Sequence, residues 1–517
     1  MPWVTLIVLV PLVGSIVLFA TPRKDSAAAE GASIGFSMAT LALVIAAFID
    51  LDRDSGTLQL VDHQTWIKSL GLAWDVGVDG ISIWMMLLTG VLFLLAILAV
   101  VARVPERPRA FLGLILLAEA GLMGVFAAGD LVLFYVFWEA MLVPFALLVW
   151  MWGDADRRSA TLTFVIYTMV GSLLMLVAII TPGLLAATGD EVATFAIRAL
   201  AGTQWSEAES TWLFAAFALA FLIKLPLFPF HGWMPKVYGS APLVITALLS
   251  AVMSKAGAYG LLRVAIPVFP EGAGNLAVPI SILAVIGIIY GSLIAWQATT
   301  MRMLVAYSSL AHLSFIVLAI MSFNQMAGQG AVLQMVNHGI VTAAAFAMVG
   351  ILARVREGDE RIDGLSGLAK NAPWAAGIFL IITMASLALP GSNAFVGEFF
   401  MLAGTFQERP LLTIIACVGI VYASVYMLRL YQSTMNGPAG DDDQASRRAE
   451  IRGSDVVYLA PLVVAMLVIA LWPAGIARTT DAPVQNAYSS CQPSTAQLVD
   501  AEPGTREHEI ATKGLCR

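Results

Sequence analysis

The amino-acid sequence predicts an all-α protein that crosses a membrane about fourteen times. Hydrophobic residues make up 59% of the chain, charged residues only 12%, and the mean hydropathy is +0.85. Soluble domains carry about 25% charged residues, so most of this chain is expected to lie in lipid. Apolar stretches of about 20 residues, the length that a helix needs to cross a bilayer, recur along nearly the whole sequence.

These apolar stretches define the spans in order. The first, from Trp3 to Ala20, has no basic residue before it and no small-residue cleavage site after it. It is therefore predicted to be a retained span and not a signal peptide. The segment 373–408 is unusually long and is broken by Pro390 and Gly391. The predicted spans lie near residues 2–21, 32–51, 80–102, 110–128, 131–151, 160–182, 211–230, 242–266, 275–296, 303–321, 329–352, 373–408, 411–431 and 455–475.

The basic residues predict which side of the membrane each loop faces. With the N-terminus outside, most of the 28 Lys and Arg residues fall in inner loops or at inner span ends. The outer loops then hold only Arg53, Lys68, Arg198, Arg263 and Arg409. Because cytoplasmic loops carry the excess of basic residues, both termini are predicted to lie outside.

Two of the three cysteines, Cys491 and Cys516, share the polar tail from Ala477 to Arg517. Since this tail is predicted to lie outside, where oxidation is permitted, we expect the two residues to form a disulfide. The alternative is a pair of free thiols in a disordered tail.

The sequence shows no apparatus for metal or nucleotide chemistry. No CxxC, no HExxH and no glycine-rich phosphate-binding motif between a strand and a helix occurs. We therefore expect no cofactor on this chain. The basic residues form no long run, so lipids and not nucleic acid are the expected surroundings.

Two spans are interrupted by helix breakers, at Lys224–Pro235 (KLPLFPFHGWMP) and at Leu387–Phe400 (LALPGSNAFVGEFF). Pro226 and Pro229 have no backbone N–H to donate, so carbonyl groups are left free beside Lys224. Membranes tolerate a broken backbone only where it is buried in protein or lines a wet cavity. Two such breaks, five spans apart, predict two inverted five-helix repeats, spans 4–8 and 9–13.

The repeats in turn predict the organisation of the chain. The predicted units are N-terminal spans 1–3 (1–109), a first repeat (110–266), a second repeat (267–431), an inner loop with span 14 (432–476) and an outer polar tail (477–517).

Four charged side chains, Glu139, Lys224, Lys255 and Glu398, lie inside predicted spans. Each costs roughly 3 kcal/mol on insertion scales, so together they cost about as much as the ~5–15 kcal/mol net stability of a whole domain. A chain that keeps them is expected to use them to move protons or ions. The alternatives are a static Glu139–Lys224 pair that fixes helix packing and a purely structural Lys255.

Several motifs occur in order between about Val76 and Met427, namely FYVFWEAMLVPF, FLIKLPLFPFHGWMPKVYGSAP, MSKAGAYGLLR, AYSSLAHLSF, QMVNHG and PGSNAFVGEF. Together they resemble the antiporter-like subunits of proton-pumping NADH–quinone oxidoreductase, respiratory complex I. The resemblance implies a line of proton-carrying side chains at mid-membrane: Glu139 paired with Lys224, then Lys255, the relay histidines His312 and His338, and Glu398. Histidine suits a relay because its unperturbed pKa is about 6.5. Waters are needed to bridge such groups across ~30 Å of hydrocarbon.

The resemblance also implies the partners. In this family NADH oxidation and quinone reduction take place on other subunits, so flavin, iron–sulfur clusters and quinone are expected there. A glutamate at the broken twelfth span, here Glu398, is typical of the M-type subunits, whereas the L and N types carry lysine. This implies L- and N-type neighbours, a peripheral arm, and a place in a bacterial plasma membrane. The alternative is a cation/proton antiporter, or a subunit of one, built on the same spans.

Structural alternatives stand beside several of these roles. His312 and His338 could be satisfied core histidines, and Glu398 could cap the helix after the break, where the helix dipole favours an anion. Glu119, in the fourth span, is a further buried acid and a secondary candidate. His231, in PFHGWMP, is a second one, either structural or placed where protons enter.

Two positions near span ends have simpler expectations. Asp79, in GVDGIS, is predicted to be a solvated cap of the third span. Family members commonly carry an acid followed by Lys-Arg before the AYSS motif, whereas this chain has Thr300 and then Arg302 as its only charge. No family role is therefore transferred to this position.

Overall fold

The computed structural model describes residues 2–20, 22, 26–103, 105–185, 193–438, 446–491 and 516. Nearly all regular structure in these residues is helical, and a single two-stranded sheet accompanies it. Twelve of the described helices are long and apolar enough to cross a membrane. The predicted class, an all-α polytopic membrane protein, is confirmed, while the total of fourteen spans, the inverted repeats and the domain limits stay predictions.

The elements before the first predicted break are α1 (Trp3–Ala20), α2 (Ser26–Asp50), β1 (Gln59–Ile67), β2 (Leu72–Val78), α3 (Ser82–Val101), α4 (Pro108–Ala127), α5 (Leu131–Ala140), α6 (Leu142–Trp152), α7 (Arg157–Leu185) and the short α8 (Ile197–Leu200). The central elements are α9 (Glu207–Lys224), α10 (Met234–Ser240), α11 (Leu243–Leu248), α12 (Ser254–Gly260) and α13 (Ile266–Val268). The remaining helices are α14 (Pro270–Gln297), α15 (Met301–Ile320), α16 (Gln325–Ala353), α17 (Pro373–Ser386), α18 (Asn393–Glu408), α19 (Pro410–Met435), α20 (Gly453–Leu471) and α21 (Ala474–Ala487).

Apolar side chains cover the outside of the bundle. Val177 on α7, and Leu411 and Val421 on α19, are each more than 60% exposed. Large apolar side chains are stable in such positions only against lipid or a partner protein. The exposed faces therefore fit the membrane environment that the composition predicts.

The helices that carry the candidate residues lie in the middle of the bundle. In the most apolar stretch of the spans Leu243–Val268 and Gln325–Arg356, 89% of the residues are buried. In Gly453–Leu471 only 28% are buried. The first span contains Lys255 and the second contains His338, so both residues lie at the core and not at the lipid face.

Both predicted helix breaks are confirmed. The helix α9 ends at Lys224, and α10 begins only at Met234, after the prolines Pro226 and Pro229. The helices α17 and α18 are separated by a turn in which Gly391 has a φ of +95°, a conformation that glycine adopts without strain.

Two further irregularities were not predicted. The fifth span changes from α5 to α6 at Met141, because Pro144 cannot donate to the carbonyl of Ala140. The span α11–α13 contains two π-helical segments, Leu249–Met253 and Leu261–Ala265, one on each side of the turn that carries Lys255. π-Helical segments are rare in proteins, and those that do occur often lie at functional sites.

A hairpin and a C-terminal helix were also not predicted. The strands β1 and β2 pair antiparallel in the loop between α2 and α3. The segment predicted to be a polar tail from residue 477 lies partly in α21, which packs against α16 and buries Tyr488 just beyond its end. The Tyr488 hydroxyl donates to the Ile320 carbonyl at 2.9 Å. The first part of the predicted tail therefore folds against the bundle. Residues 439–445, 492–515 and 517 lie outside the described part of the chain.

Cys491 and Cys516 are joined by a disulfide in the structure, in the pairing that the sequence analysis predicts. Cys516 packs against Gly274 of α14, where a Cβ atom would lie only 2.6 Å from the Cys516 Cα. The disulfide therefore links the end of α21 to a residue held against a membrane span.

Candidate functional site

Four of the predicted site residues lie in one line at the centre of the bundle. Nζ of Lys255 lies 2.7 Å from Nδ1 of His338. The ring of His338 lies 5.5 Å, between centroids, from the ring of His312. Nδ1 of His312 lies 3.2 Å from Oε1 of Glu398. The structure therefore brings a lysine, two histidines and a carboxylate together from α12, α16, α15 and α18.

The irregular backbone around Lys255 supplies a second acceptor for its ammonium group. Nζ also contacts the Ser250 carbonyl oxygen at 2.5 Å, five residues earlier in the π-helical segment. If Lys255 donates to Nδ1 of His338, the other ring nitrogen carries the imidazole proton. That nitrogen, Nε2, lies 3.2 Å from the Thr342 hydroxyl, one turn further along α16.

Glu398 is held by an amide that the sequence analysis missed. Nε2 of Gln334 donates to Oε1 of Glu398 at 3.1 Å. His312 is at ion-pair distance from the same oxygen, but its Nδ1 is not aligned for a hydrogen bond. Gln334 precedes His338 by four residues, so the two side chains share one face of α16. Gln334 is the first residue of the QMVNHG motif, so the sequence already contained the pattern that identifies it.

A small cavity is lined by both histidines. It has about 20 Å³ of space and is lined by Ser309, His312, Gln334, His338 and Thr342 together with apolar residues. A water needs roughly 10–15 Å³ and two to four polar partners, so this cavity has room for about one. A second space of about 10 Å³ lies between His312 and Glu398. The gap between the rings, too wide for a direct hydrogen bond, can therefore be bridged.

Lys224 and Glu139 are neighbours that do not touch. Nζ of Lys224 lies 4.7 Å above the ring centroid of Trp138, in a cation–π contact. The charge of Glu139 acts on Lys224, yet the two form no ion pair within 4.0 Å. Lys224 Nζ and one Glu139 oxygen are buried without a hydrogen-bond partner. The predicted charge pair is thus electrostatic and not a contact pair, and Glu139 itself is only half-buried.

The helices that carry the two lysines are in contact. A Cβ atom on Gly257 would lie 2.4 Å from the Phe221 carbonyl oxygen, so only glycine allows this crossing of α12 and α9. The crossing point is two residues beyond Lys255 and three residues before Lys224 along their helices. The first pair of charges is therefore packed beside the central line.

The two secondary candidates lie apart from this line. Glu119 is fully buried and accepts from the Ser37 hydroxyl of α2 at 3.2 Å. The ring of His231 packs 5.0 Å from the Tyr290 ring and 5.8 Å from the Phe228 ring. Neither contact leads to Lys255 or Glu398.

Two expectations near the span ends are corrected or completed. Asp79 is not solvated: it is fully buried, forms an ion pair with Arg263, and accepts from the Ser82 N–H at 2.9 Å.

Thr300 caps α15 by accepting from the Met303 N–H at 3.3 Å. The neighbouring Arg302 forms a two-pronged ion pair with Glu360, at 2.5 and 2.6 Å. Arg302 thus has an acidic partner from a distant loop.

Comparison with known proteins identifies the family. The family model "NADH:quinone oxidoreductase/Mrp antiporter, TM" matches residues 128–423. The chain is 33% identical to an NADH-quinone oxidoreductase subunit M from Mycobacterium tuberculosis, over 98% of this chain and 99% of the relative. It is also 33% identical to NAD(P)H-quinone oxidoreductase chain 4 1 of Nostoc sp., over 99% of this chain and 96% of the relative.

Solved structures agree with this assignment. A chain of respiratory complex I from Thermus thermophilus matches with a TM-score of 0.84 and 32% identity, over 94% of this chain and 99% of that one. A chain of the Mrp complex from Dietzia sp. matches with a TM-score of 0.79 over 94% of this chain and 97% of that one, but at 21% identity it shows the shared fold alone. The chain belongs to the antiporter-like membrane subunits of NADH–quinone oxidoreductase, in the subunit M group.

Proposed function

We propose that this chain moves protons across the membrane as a subunit of an NADH–quinone oxidoreductase. One observation carries the proposal: Lys255, His338, His312 and Glu398 follow one another at the buried centre of the bundle, with spacings that a proton can cross directly or through one water. Buried ionisable groups inside a membrane are costly, and they are kept mainly on ion and proton pathways.

The contacts define a sequence of proton transfers. The Lys255 ammonium group gives a proton to Nδ1 of His338, and the ring releases the proton on Nε2 toward Thr342 and the polar cavity. Water in the cavity passes it to His312, which lies beside Glu398. Each step moves one proton and returns the donor to its neutral form, but it leaves the His338 proton on Nδ1 instead of Nε2. A new cycle therefore needs that proton to return to Nε2 and Lys255 to be reloaded.

Glu139 and Lys224 supply a switch for this line. Because Lys224 has a cation–π contact with Trp138 but no hydrogen-bond partner among the described residues, its charge acts on the ionisable groups around it over a distance. Uptake or loss of a proton at Lys224, or movement of Glu139, changes the potential at Lys255 on the adjacent helix. The half-buried position of Glu139 makes it the member of the pair that a neighbouring subunit can reach.

The redox chemistry is assigned to partner subunits. Of the three cysteines in this chain, two form the disulfide and Cys417 stands alone on α19, so a cysteine-ligated cluster has no ligand set. We propose that flavin, iron–sulfur clusters and quinone are bound by other subunits, with L- and N-type membrane subunits as neighbours and a peripheral arm beyond them.

We further propose that the chain lies in a bacterial plasma membrane with both termini outside. The excess of basic residues in the inner loops and the disulfide in the C-terminal segment support this orientation. An impermeant maleimide applied to intact cells tests it. The tail cysteines should react only after reduction, whereas labelling of unreduced cells at Cys491 or Cys516, or labelling solely in inverted vesicles, contradicts the proposal.

The proton path is tested by single substitutions in the assembled complex. Lys255→Ala, Lys224→Ala and Glu139→Ala are compared with Lys236→Ala, an exposed lysine on α10. NADH oxidation and acidification are measured in inverted membrane vesicles. The three site variants should lose proton pumping and coupled turnover, and the control should keep both. If all three variants still pump, the path is wrong, and sodium-for-proton exchange by the isolated chain points to an antiporter instead.

A further inference from the structure

A pocket with charged residues at its mouth lies away from the proton line, at one end of the bundle. It has a volume of about 390 Å³, within the range of sites that hold small amphiphilic molecules. Its walls come from the ends of six helices: the C-terminal ends of α3, α6 and α16 and the N-terminal ends of α4, α11 and α20. All of these ends meet at the same membrane surface.

The body of the pocket is apolar and shallow. Its deeper walls include Ala99 and Ala247, with Phe346 and Leu459 on the opposite sides. The lining residues of each wall span about one to one and a half helical turns, which is roughly 6–8 Å along the helix axis. That depth suits the glycerol region and the first carbons of a lipid chain that enters from the bilayer.

The mouth of the pocket carries one positive charge in excess. Asp455 pairs with Arg103 at 3.1 Å and with Arg354 at 2.8 Å, so one carboxylate faces two guanidinium groups. Arg354 does not itself line the pocket, but it pairs with the lining residue Asp455, so the group of three side chains keeps a net positive charge beside the mouth. The Arg103 side chain lines the pocket and is 53% exposed, so it can reach a ligand. A net positive charge at the mouth favours an anion.

The helix that carries Asp455 adds to this preference. The exposed Ser454 lies in the first turn of α20 and lines the pocket, so an anionic group there would also face the helix N-terminus. Basic pockets between transmembrane helices at a membrane surface bind anionic lipid head groups. We infer that this pocket binds one anionic phospholipid, with its phosphate at Arg103 and Ser454 and its upper chain against α11 and α16.

The position of the lipid connects it to the central site. Ala247 lies two turns before Lys255 in one span, and Phe346 lies two turns after His338 in the other. A molecule seated between these walls fills the space between the two helices whose side chains make the 2.7 Å contact. The bound lipid thus holds these two helices at a fixed separation at this end of the bundle.

The test uses the purified complex in nanodiscs with a phosphatidylglycerol that carries a photoreactive diazirine in the upper acyl chain. After irradiation, peptides that cover 243–247 and 346–351 should carry the adduct. Arg103→Ala removes the excess charge and should lower adduct formation about five-fold, as expected for one basic residue near a phosphate. Arg103→Lys should restore most of it, and Ala247→Trp should abolish it by filling the pocket. Arg447→Ala, an exposed arginine in the loop before α20, should change nothing.

Two further arms separate the sources of the anion. Phosphatidylcholine with the same diazirine should label these peptides far less than phosphatidylglycerol. Oleate in excess should compete poorly if the phosphate is recognised. Equal labelling by both lipids, or unchanged labelling in Arg103→Ala, identifies ordinary surrounding lipid and overturns the proposal. Full competition by oleate would show that the pocket binds a free fatty acid and not a phospholipid. If Ala247→Trp fails to assemble, the Arg103→Ala and Arg103→Lys pair still decides.

Discussion

Lys255 and His338 are 83 positions apart in the chain, yet Nζ of the lysine lies 2.7 Å from Nδ1 of the histidine. The contact depends on the π-helical segment before Lys255, which also places the Ser250 carbonyl within reach of the same ammonium group. It is the shortest link in the central line, since the two histidine rings are 5.5 Å apart between centroids. The lysine therefore has a direct contact toward the histidines, and no carboxylate of the described residues forms an ion pair with it.

Replacing His338 by alanine should break this path. We expect proton pumping to fall at least ten-fold, because a positioned acid–base group contributes on the order of 10²-fold or more to proton transfer. The assembled complex should remain intact, which blue-native electrophoresis checks, and pumping is measured by acidification of inverted vesicles.

The matched control is His231→Gln, since His231 lies outside the line. That variant should pump normally. Loss of pumping in His231→Gln together with normal pumping in His338→Ala would mean that His231, and not His338, relays protons.

Gln334→Leu should weaken the far end of the line. Without the 3.1 Å donor, Glu398 loses the amide that orients its carboxylate toward His312. An unmade buried hydrogen bond costs about 1–3 kcal/mol, so we expect a roughly five- to one-hundred-fold lower pumping rate. Gln329→Ala serves as control and should leave pumping unchanged, because this half-buried glutamine near the start of the same helix donates to Asp481 and not to Glu398.

The course of the spans could be predicted from sequence because lipid imposes a strong and local rule. An apolar run of about 20 residues must be helical to satisfy its own backbone, whatever lies around it. The breaks at Pro226 and Gly391 follow from residues that act locally. No such local rule predicts the helix α21. Its sequence is largely polar, so the face that packs on α16 cannot be recognised from the sequence and is seen only in the folded bundle.

The site could be predicted in part for the same reason. Charges inside apolar spans identify Lys255 and Glu398, and the motifs add the histidines. The π-helical segments and the Asp79–Arg263 pair depend on contacts between residues far apart in the chain. Such contacts leave no periodic pattern in a single sequence. Gln334 was within reach, because its spacing from His338 puts both on one helical face.

Arg302→Ala should destabilise the N-terminal end of α15. Arg302 pairs with Glu360 and also donates to the Ala241 carbonyl at 2.8 Å at the end of α10. Both charged side chains are only 15% exposed, and removing one partner of a buried pair costs about 3–5 kcal/mol. We expect a loss of about 3 kcal/mol, seen as a lower melting temperature of the purified complex.

Arg302→Lys should recover only part of that loss, because a lysine cannot make the two-pronged contact. Arg361→Ala removes the exposed pair with Asp359 and should leave the melting temperature unchanged. Equal melting temperatures for Arg302→Ala and the parent complex would show that the pair adds no stability.

The carboxyl of Asp130 should make the stability of this region depend on pH. Asp130 precedes α5, is 2% exposed, and accepts from the Val132 and Leu133 N–H groups at 2.8 and 3.0 Å. Burial, with a smaller effect from the nearby Asp75 carboxylate, raises the pKa of Asp130 from 3.8 to about 6. Between these values the folded chain keeps a proton that the unfolded chain has released. Stability is therefore lost as the pH rises from about 4 to 6, and about 3 kcal/mol is missing above that range.

Asp130→Asn should remove this loss while keeping the helix cap, since asparagine caps about as well as aspartate. The melting temperature of the variant relative to the parent complex should rise between pH 5 and pH 7, because the parent loses stability over that range and the variant does not. Asp54→Asn, at an exposed carboxylate in the loop before β1, should follow the parent at every pH. Parallel pH curves for Asp130→Asn and the parent would mean that the Asp130 carboxyl is already ionised in the folded chain at pH 5.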